Sequence, residues 1–342
     1  MYKFFTIGVL ALLASANIFA QNIVDFELTP PTAKASGNLY RSFRYIDSRP
    51  DTADLGFVQT GFFNRRGTVI AKTPLAKQLT GLFNAIADTA GKQPELIFQL
   101  WQCSFVEITA GMSEKGFFSL RAGLYSNSGG NCREIRLIDT IFVLKSAIDV
   151  TQDLLRAGRQ AMSDFLTDNV TREGTGAIFS YHDVLHIDSV EKRKIMLYNT
   201  ATYVDGLYLN YKSFMNQTPD KKVTLDGDDL NQATIKATGE NGKPQKVKAT
   251  KVYAIVYKGQ PYVATRGVYY QLKKENDDFV FTGKEQVSAG NGDVIAATVM
   301  FGVLGSLLTS NTEATFEMKI DHLSGRFIRL KEIPEAAVAE NH

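Results

Sequence analysis

The chain has no strong excess of charge of one sign, and this absence argues against one class of partner. Its 342 residues carry 38 Lys and Arg against 36 Asp and Glu, a formal net charge of +2. Nucleic-acid binding depends largely on neutralising phosphates with basic side chains, so we expect no nucleic-acid partner. The lysines of residues 243–258 alternate with other residues, which is typical of the solvent face of an exposed strand.

Cysteine is also scarce. Cys103 and Cys132 are the two in the chain, an even number that permits one disulfide in an oxidising compartment. They occupy non-matching positions in consecutive predicted strands, which disfavours the bond, and the sequence leaves their pairing open. A catalytic cysteine needs a base nearby, and no histidine lies within forty residues of either cysteine.

The motifs of the common enzyme classes are missing. The sequence contains no phosphate-binding loop, no dinucleotide-binding glycine set and no nucleophile elbow. We therefore predict no cofactor. Asp47, Asp51 and Asp54 could supply paired carboxylates for glycoside hydrolysis, or could form solvated ion pairs with neighbouring arginines.

Histidines are few, and two of them provide the candidate metal ligands. On a helix, His182 and His186 would share one face, and Asp183 could add a third ligand. Asp183 stands where metalloproteases have a glutamate, so the sequence predicts no metal centre and retains these three residues only as candidates. The competing interpretation is a pair of polar residues in a connecting segment.

What the sequence does have is the layout of an export signal. Lys3 precedes an apolar run over residues 4–13, and small residues follow up to Ala20. This pattern is typical of a signal peptide cleaved before Gln21, and we expect a periplasmic or secreted protein. The alternative is an N-terminal membrane anchor, but the run is shorter than the about 20 residues that a span needs. No cysteine follows the cleavage point, so a lipid anchor is not expected.

Hydrophobic periodicity predicts an α+β fold. The stripe Leu75, Leu79, Leu82, Phe83 and Ile86 has helical spacing, after a start at Thr73-Pro74. Three strand-like runs and a second helix follow, over residues 95–108, 116–125, 133–145 and 149–166. The resulting order β-α-β-β-β-α predicts a sheet with two helices on one face.

The second half has more strand-like segments, rich in aromatic residues and separated by turn signals. It predicts a mainly β domain that contains one apolar helix or hairpin. The predicted division of the chain is a signal peptide (1–20), a lead-in segment (21–39), an α+β domain (40–170), a connector (171–204), a mainly β domain (205–333) and a flexible tail (334–342).

Residues 294–308 depart from the rest of the chain because they form a run of fifteen residues without a charge. As a helix the run would cover about 22 Å, less than the ~30 Å hydrocarbon core of a bilayer. One interpretation is a buried helix or hairpin of the second domain. The other is a contact with a partner or membrane, because glycines three apart allow close approach. The candidate contact residues are Val294, Met300, Phe301, Gly302, Gly305 and Leu308.

Two portions of the chain resemble known proteins. The β-α-β-β-β-α order of residues 40–167 resembles, in topology only, the periplasmic auxiliary lipoproteins of envelope lipid-transport systems, although the lipidation cysteine of those proteins is missing here. Residues 205–220, 251–272 and 318–330 are similar to a pattern in secreted bacterial proteins of uncharacterised function. Neither resemblance assigns a functional residue.

Together these features favour an exported bacterial envelope protein without catalytic activity. We expect it to bind an envelope protein or an apolar ligand, with peripheral membrane contact through residues 294–308. One alternative is a secreted hydrolase with a site at the domain junction, using Asp47 and Asp51 or the His182/His186 pair. Another is a structural or adhesive surface protein. The sequence leaves the ligand and the oligomeric state open.

Overall fold

The computed structural model describes most of the chain between Asn22 and Ile333. The residues outside the description are 1–21, 31–34, 36, 51, 62–64, 88–92, 111–112, 147–148, 228, 239–241, 266, 288–311 and 334–342. The predicted signal peptide, the apolar segment 294–308 and the predicted tail therefore lie outside the described residues.

The first region combines a large sheet with two helices. Its elements are β1 (Asn22–Asp25), β2 (Tyr40–Asp47), β3 (Gly56–Thr60), β4 (Arg65–Ile70), α1 (Leu75–Ile86), β5 (Gln93–Ala110), β6 (Ser113–Ser128), β7 (Asn131–Ser146), α2 (Thr151–Thr167) and β8 (Ile178–Ser180). These strands form an eight-stranded sheet in the order β1-β4-β3-β5-β6-β7-β8, and β2 pairs with β5 beside that path.

The centre of this sheet is the antiparallel meander β5-β6-β7, which confirms the three strands predicted from the sequence. The turn between β6 and β7 consists of Gly129 and Gly130, whose φ angles are 61° and 90°. Two consecutive residues with positive φ match the twist of a two-residue hairpin, and glycine adopts them without strain. The local sequence therefore fixes the register of these two strands.

Both helices contribute to one hydrophobic core against this sheet. The buried residues of α1 are the five of the predicted stripe, and they pack in one cluster with Phe98, Phe105 and Phe118 of the sheet and Met162 and Phe165 of α2. Asp149 Oδ1 accepts a hydrogen bond from Thr151 N (2.7 Å), at the start of α2. The predicted α+β fold class is confirmed.

The segment predicted as a lead-in contributes to the packed structure, so its description as an unpacked lead-in is wrong. Strand β1 pairs in parallel with β4, and the side chains of Phe26 and Leu28 are buried. Gln78 of α1 holds this segment, because its Oε1 accepts from Leu28 N and its Nε2 donates to Phe26 O. Parallel pairing with a distant strand leaves little signal in a short stretch of sequence.

The predicted connector also forms regular structure. It contains β8 and three short helices, α3 (Tyr181–Leu185), α4 (Ile187–Lys192) and α5 (Met196–Asn199). Strand β8 pairs with β7 and extends the large sheet. Val184 and Ile187 are buried against Trp101 of β5, so these helices pack on the sheet instead of bridging two domains through solvent.

The second region is mainly β, as predicted. Its elements are β9 (Gly206–Tyr208), α6 (Tyr211–Met215), β10 (Val223–Asp226), β11 (Thr234–Thr238), β12 (Pro244–Lys246), a 3-10 turn (Ala249–Lys251), β13 (Ala254–Tyr257), β14 (Gln260–Thr265), β15 (Val268–Gln271), β16 (Lys273–Glu275), β17 (Asp278–Val287), β18 (Thr312–Ile320) and β19 (Phe327–Ile333). Its described sheets have the orders β10-β11-β12, β15-β14-β13-β9 and β16-β17-β18-β19.

Strands β17 and β18, which form an antiparallel ribbon, precede and follow the apolar segment in the sequence. Its pairing begins at Val280↔Lys319 and continues to Val287↔Thr312. The two residues that flank 288–311 therefore lie at the same end of the ribbon. The other end of β18 leads into the turn to β19 and packs in an aromatic core with Phe279, Phe281 and Phe327. None of the described helices is long and apolar enough to cross a membrane.

Candidate functional site

The first region meets the β18–β19 turn at a cluster of charged side chains. Arg121 lies on β6, Asp188 and Glu191 lie on α4, and Asp321 and His322 follow β18. We call these five residues the junction cluster. Their distance in the sequence shows that tertiary packing, and not a local motif, brings them together.

Arg121 is the central cation of the junction cluster. Its largely buried guanidinium donates from Nη2 to Glu191 Oε2 (3.3 Å) and from Nη1 to Asp321 Oδ1 (3.3 Å). The guanidinium carbon also lies 5.3 Å from the centroid of the Trp101 ring, within the range of a cation–π interaction. Arg121 is therefore held from three sides and joins α4 to the β18–β19 turn.

His322 is 3% exposed and faces the same carboxylate. Its Nε2 lies 2.7 Å from Glu191 Oε2, and its Nδ1 lies 4.0 Å from Asp321 Oδ1. The backbone fixes the position of the ring, because His322 O accepts a hydrogen bond from the Tyr211 hydroxyl (2.7 Å). His322 Nε2 and Glu191 Oε2 are therefore hydrogen-bond partners.

Asp321 is held as a carboxylate. Burial by itself raises the pKa of this group, but the charge of Arg121 and hydrogen bonds from Ser324 Oγ and Leu323 N outweigh burial and lower the pKa below its ordinary value. The junction cluster thus keeps an anion next to the imidazole of His322.

Three further ion pairs lie beside the junction cluster. Asp278 at the start of β17 accepts from Lys192 Nζ (2.7 Å) and from Lys319 Nζ (3.1 Å). Arg326 Nη2 donates to Asp139 Oδ1 of β7 (3.0 Å). These contacts tie the base of the β17–β18 ribbon and the β18–β19 turn to the first region.

The predicted metal candidates lie elsewhere and have other roles. His182 and His186 are both exposed, and their ring centroids are 4.5 Å apart. Asp183 forms a capping box with Ser180 at the start of α3. The hydroxyl and the backbone N–H of Ser180 donate to its carboxylate and lower its pKa. In the described part of the chain, the groups of three metal-binding side chains do not include these residues.

The acidic side chains that were candidates for glycoside hydrolysis form hydrogen bonds with neighbouring residues of a turn. Asp47 accepts from Arg49 Nε (2.9 Å) and Nη2 (2.8 Å). Asp54 Oδ1 accepts from Gly56 N (2.8 Å), and Asp51 lies outside the described residues. Burial raises the pKa of Asp47, but the hydrogen bonds and charge of Arg49 outweigh it and hold the pKa below its ordinary value. Asp47 is therefore an ion-pair partner.

Cys103 and Cys132 are free and buried. They belong to different hydrophobic clusters, Cys103 to the one under the helices and Cys132 to the one with Trp101. Burial raises the pKa of Cys103 to about 12 and that of Cys132 to about 11. Both thiols are poor nucleophiles as a result.

One buried carboxyl outside the junction cluster is strongly perturbed. Glu107 of β5 is 1% exposed, and its Oε2 accepts from Thr151 Oγ1 (2.6 Å) and Gln59 N (3.2 Å). Burial raises its pKa to about 7. Carboxyl oxygens of Glu114 and Asp149 lie within 4.8 Å of a Glu107 oxygen, next to the first turn of α2.

Sequence reasoning missed the junction cluster. The available signals are the Asp188 and Glu191 spacing of three on one helix and the isolated His322 before the Ser324-Gly325 turn. Neither signal indicates which distant residue its side chains contact. The predicted contact residues Val294, Met300, Phe301, Gly302, Gly305 and Leu308 lie outside the described residues.

Comparison with known proteins gives distant structural similarity. No protein-family model matches the chain, and no curated protein sequence does. A crystal structure of a Xanthomonas campestris protein assigned to the family DUF330 aligns with 12% sequence identity and a TM-score of 0.29, over 49% of this chain and 99% of that one. The resemblance to auxiliary lipoproteins of envelope lipid transport stays a prediction.

Proposed function

We propose that this chain is an exported protein of the bacterial envelope that binds an apolar ligand without catalysis. The proposed contact is the charge-free segment 294–308, and the chemical class of the ligand is lipid. The export signal in residues 1–20 supports the location, and the composition of 294–308 supports the ligand class.

The observation that carries the proposal is the pairing of Val287 with Thr312 at the end of the β17–β18 ribbon. Because Val287 and Thr312 pair with each other, the described residues on both sides of the 288–311 connection lie at one end of a two-stranded support. A ribbon of this kind can present a loop while its own hydrogen bonds stay intact.

Ion pairs attach the base of the β17–β18 ribbon to the first region. Asp278 at the start of β17 pairs with Lys192 and Lys319, and the turn after β18 is held by Arg121 and Asp139. These ion pairs therefore join the base of the ribbon and the turn after β18 to the first region. The hydrolase and adhesive alternatives stay predictions.

The test is vesicle flotation of the mature chain beginning at Gln21, with vesicles of phosphatidylethanolamine and phosphatidylglycerol. We expect the chain to float with the vesicles. A variant in which residues 294–308 are replaced by a Gly/Ser linker of the same length should stay at the bottom of the gradient. Its circular dichroism should match that of the parent, because the ends of the connection remain paired.

A pair of point variants controls for non-specific association of exposed apolar side chains with the vesicles. Met300→Asp should reduce flotation, whereas Met196→Asp should not, because Met196 is an exposed apolar residue (57% exposed) on α5. Equal flotation of the parent and the linker variant would refute the proposal, and so would a parent that does not float. Fractionation of an expressing Gram-negative host, with N-terminal sequencing, tests export separately.

A further inference from the structure

Three side chains of the junction cluster converge as metal ligands do. One donor atom each of Asp188, Glu191 and His322 lies within 4.8 Å of the others. Asp188 and Glu191 are three residues apart on α4, which places both carboxylates on one side of the helix. His322 comes from the β18–β19 turn and completes the set from the opposite side.

The donor types fit a divalent transition metal. One imidazole nitrogen and two carboxylate oxygens, with a position left for water, are a common zinc ligand set, while the absence of sulfur disfavours softer ions. His322 Nε2 and Glu191 Oε2 are 2.7 Å apart, so a single ion could contact both after a small outward shift of the two side chains.

Asp188 supplies an independent observation. Its Oδ1 is buried from solvent and, in the described part of the chain, has no hydrogen-bond partner. A buried carboxylate oxygen without a partner is costly, because the anion loses its hydration and gains nothing in return. A cation between Asp188, Glu191 and His322 would satisfy this oxygen.

The formal charge of the junction cluster also favours a bound cation. The junction cluster contains the carboxyl groups of Asp188, Glu191 and Asp321 and the single guanidinium of Arg121, which pairs with Glu191 and Asp321, so the formal charge of these four side chains is negative. A bound divalent cation would balance that charge.

The groups behind the ligands are also suitable for a metal site. Arg121 binds Glu191 Oε2 and orients that carboxylate. Asp321 Oδ1 lies 4.0 Å from His322 Nδ1, on the other side of the ring from the Nε2 that faces Glu191 Oε2. Such outer groups commonly orient metal ligands.

We infer that Asp188, Glu191 and His322 form a zinc site that joins α4 to the β18–β19 turn. The ion would connect the first region to the hairpin that continues into the β17–β18 ribbon. This inference is independent of lipid binding, because a zinc site here would stabilise the chain whether or not residues 294–308 contact lipid.

The experiment uses the untagged mature chain, stripped with a chelator and titrated with Zn²⁺ by calorimetry. We expect about one Zn²⁺ per chain, with binding weakened by more than about tenfold in Glu191→Gln and in His322→Gln. The matched control is the double variant His182→Ala/His186→Ala, which removes the exposed histidine pair and should bind zinc as the parent does.

X-ray absorption of the zinc-loaded parent tests the proposed ligand set even if a variant fails to fold. We expect one imidazole and otherwise oxygen ligands, with a Zn–N distance of about 2.0–2.1 Å. A parent that binds no zinc would overturn the inference. A spectrum with two imidazoles, or loss of binding in the His182/His186 control, would place the metal on the exposed pair and overturn it equally.

Discussion

At the scale of single residues, the molecule places ionisable groups in environments that change their protonation. Glu107 and Asp321 are both buried carboxyls, yet their pKa values move in opposite directions. Burial dominates at Glu107 and raises its pKa to about 7, whereas burial is outweighed at Asp321 by Arg121 and by hydrogen bonds. The neighbouring cation decides the difference.

Glu107 makes the stability of the protein depend on pH. Because its folded pKa of about 7 exceeds the ordinary value of 4.5 for a glutamate, the folded state binds the extra proton between these values, and stability falls as pH rises through that window. Glu107→Gln should remove this dependence and stabilise the chain at pH 8 by about 1–2 kcal/mol. Thr151 can still donate to the amide oxygen.

Urea unfolding of Glu107→Gln at pH 5 and at pH 8 checks this prediction. Asp153→Asn is the control, since Asp153 is exposed and pairs with Arg156 on the same helix, and it should leave the pH dependence unchanged. If Glu107→Gln destabilises the chain more at pH 8 than at pH 5, the fold favours the ionised carboxyl, its pKa is not raised by folding, and the argument fails.

Arg121 should be the most costly single charge to remove. Arg121→Met leaves the carboxylates of Glu191 and Asp321 buried without their cation, and breaking a buried ion pair from one side costs about 3–5 kcal/mol. Lys236→Met is the matched control, because Lys236 pairs with Asp226 in an exposed strand pair and should cost at most about 1 kcal/mol. Equal midpoints of thermal unfolding for the two variants would contradict this account.

At the scale of elements, the sequence predicts what local chemistry determines. The five-residue stripe of α1 and the Gly129-Gly130 turn were predictable because helical period and positive φ leave a signal within a few residues. Strands β1 and β8 were not, because each is short and acquires its strand pairing from a distant partner. Their existence depends on the sheet they join.

The β18–β19 turn has a strict requirement at Gly325. Its φ is +73°, and a Cβ there would lie 2.1 Å from Tyr211 Cγ. Gly242 has the same φ of +73° with open space around it, so the pair separates the cost of positive φ from that of the clash. Gly242→Ala should cost about 1–2 kcal/mol, and Gly325→Ala clearly more. Chemical unfolding measures both, and equal losses would show that the turn accommodates a side chain.

At the scale of the whole molecule, the junction cluster links the large sheet to the ribbon that frames residues 288–311. Arg121 and Glu191 are 70 residues apart, and Glu191 and His322 are 131 residues apart. A single sequence gives no signal for such pairings, which is why composition and motifs indicated a binding protein while the candidate site came from the fold alone. In our proposal the junction cluster attaches the ribbon to the large sheet, and residues 294–308 make the lipid contact.

The most direct test of that arrangement places a polarity-sensitive fluorophore at Phe301→Cys. The native thiols Cys103 and Cys132 are buried with raised pKa values, so a maleimide dye should react with the introduced cysteine alone. Met196→Cys on exposed α5 is the control. Our account predicts that phosphatidylethanolamine and phosphatidylglycerol vesicles shift the emission at position 301 to the blue, with quenching by doxyl-labelled lipids, and leave position 196 unchanged. An unshifted spectrum at position 301 with saturating vesicles would contradict lipid contact by residues 294–308.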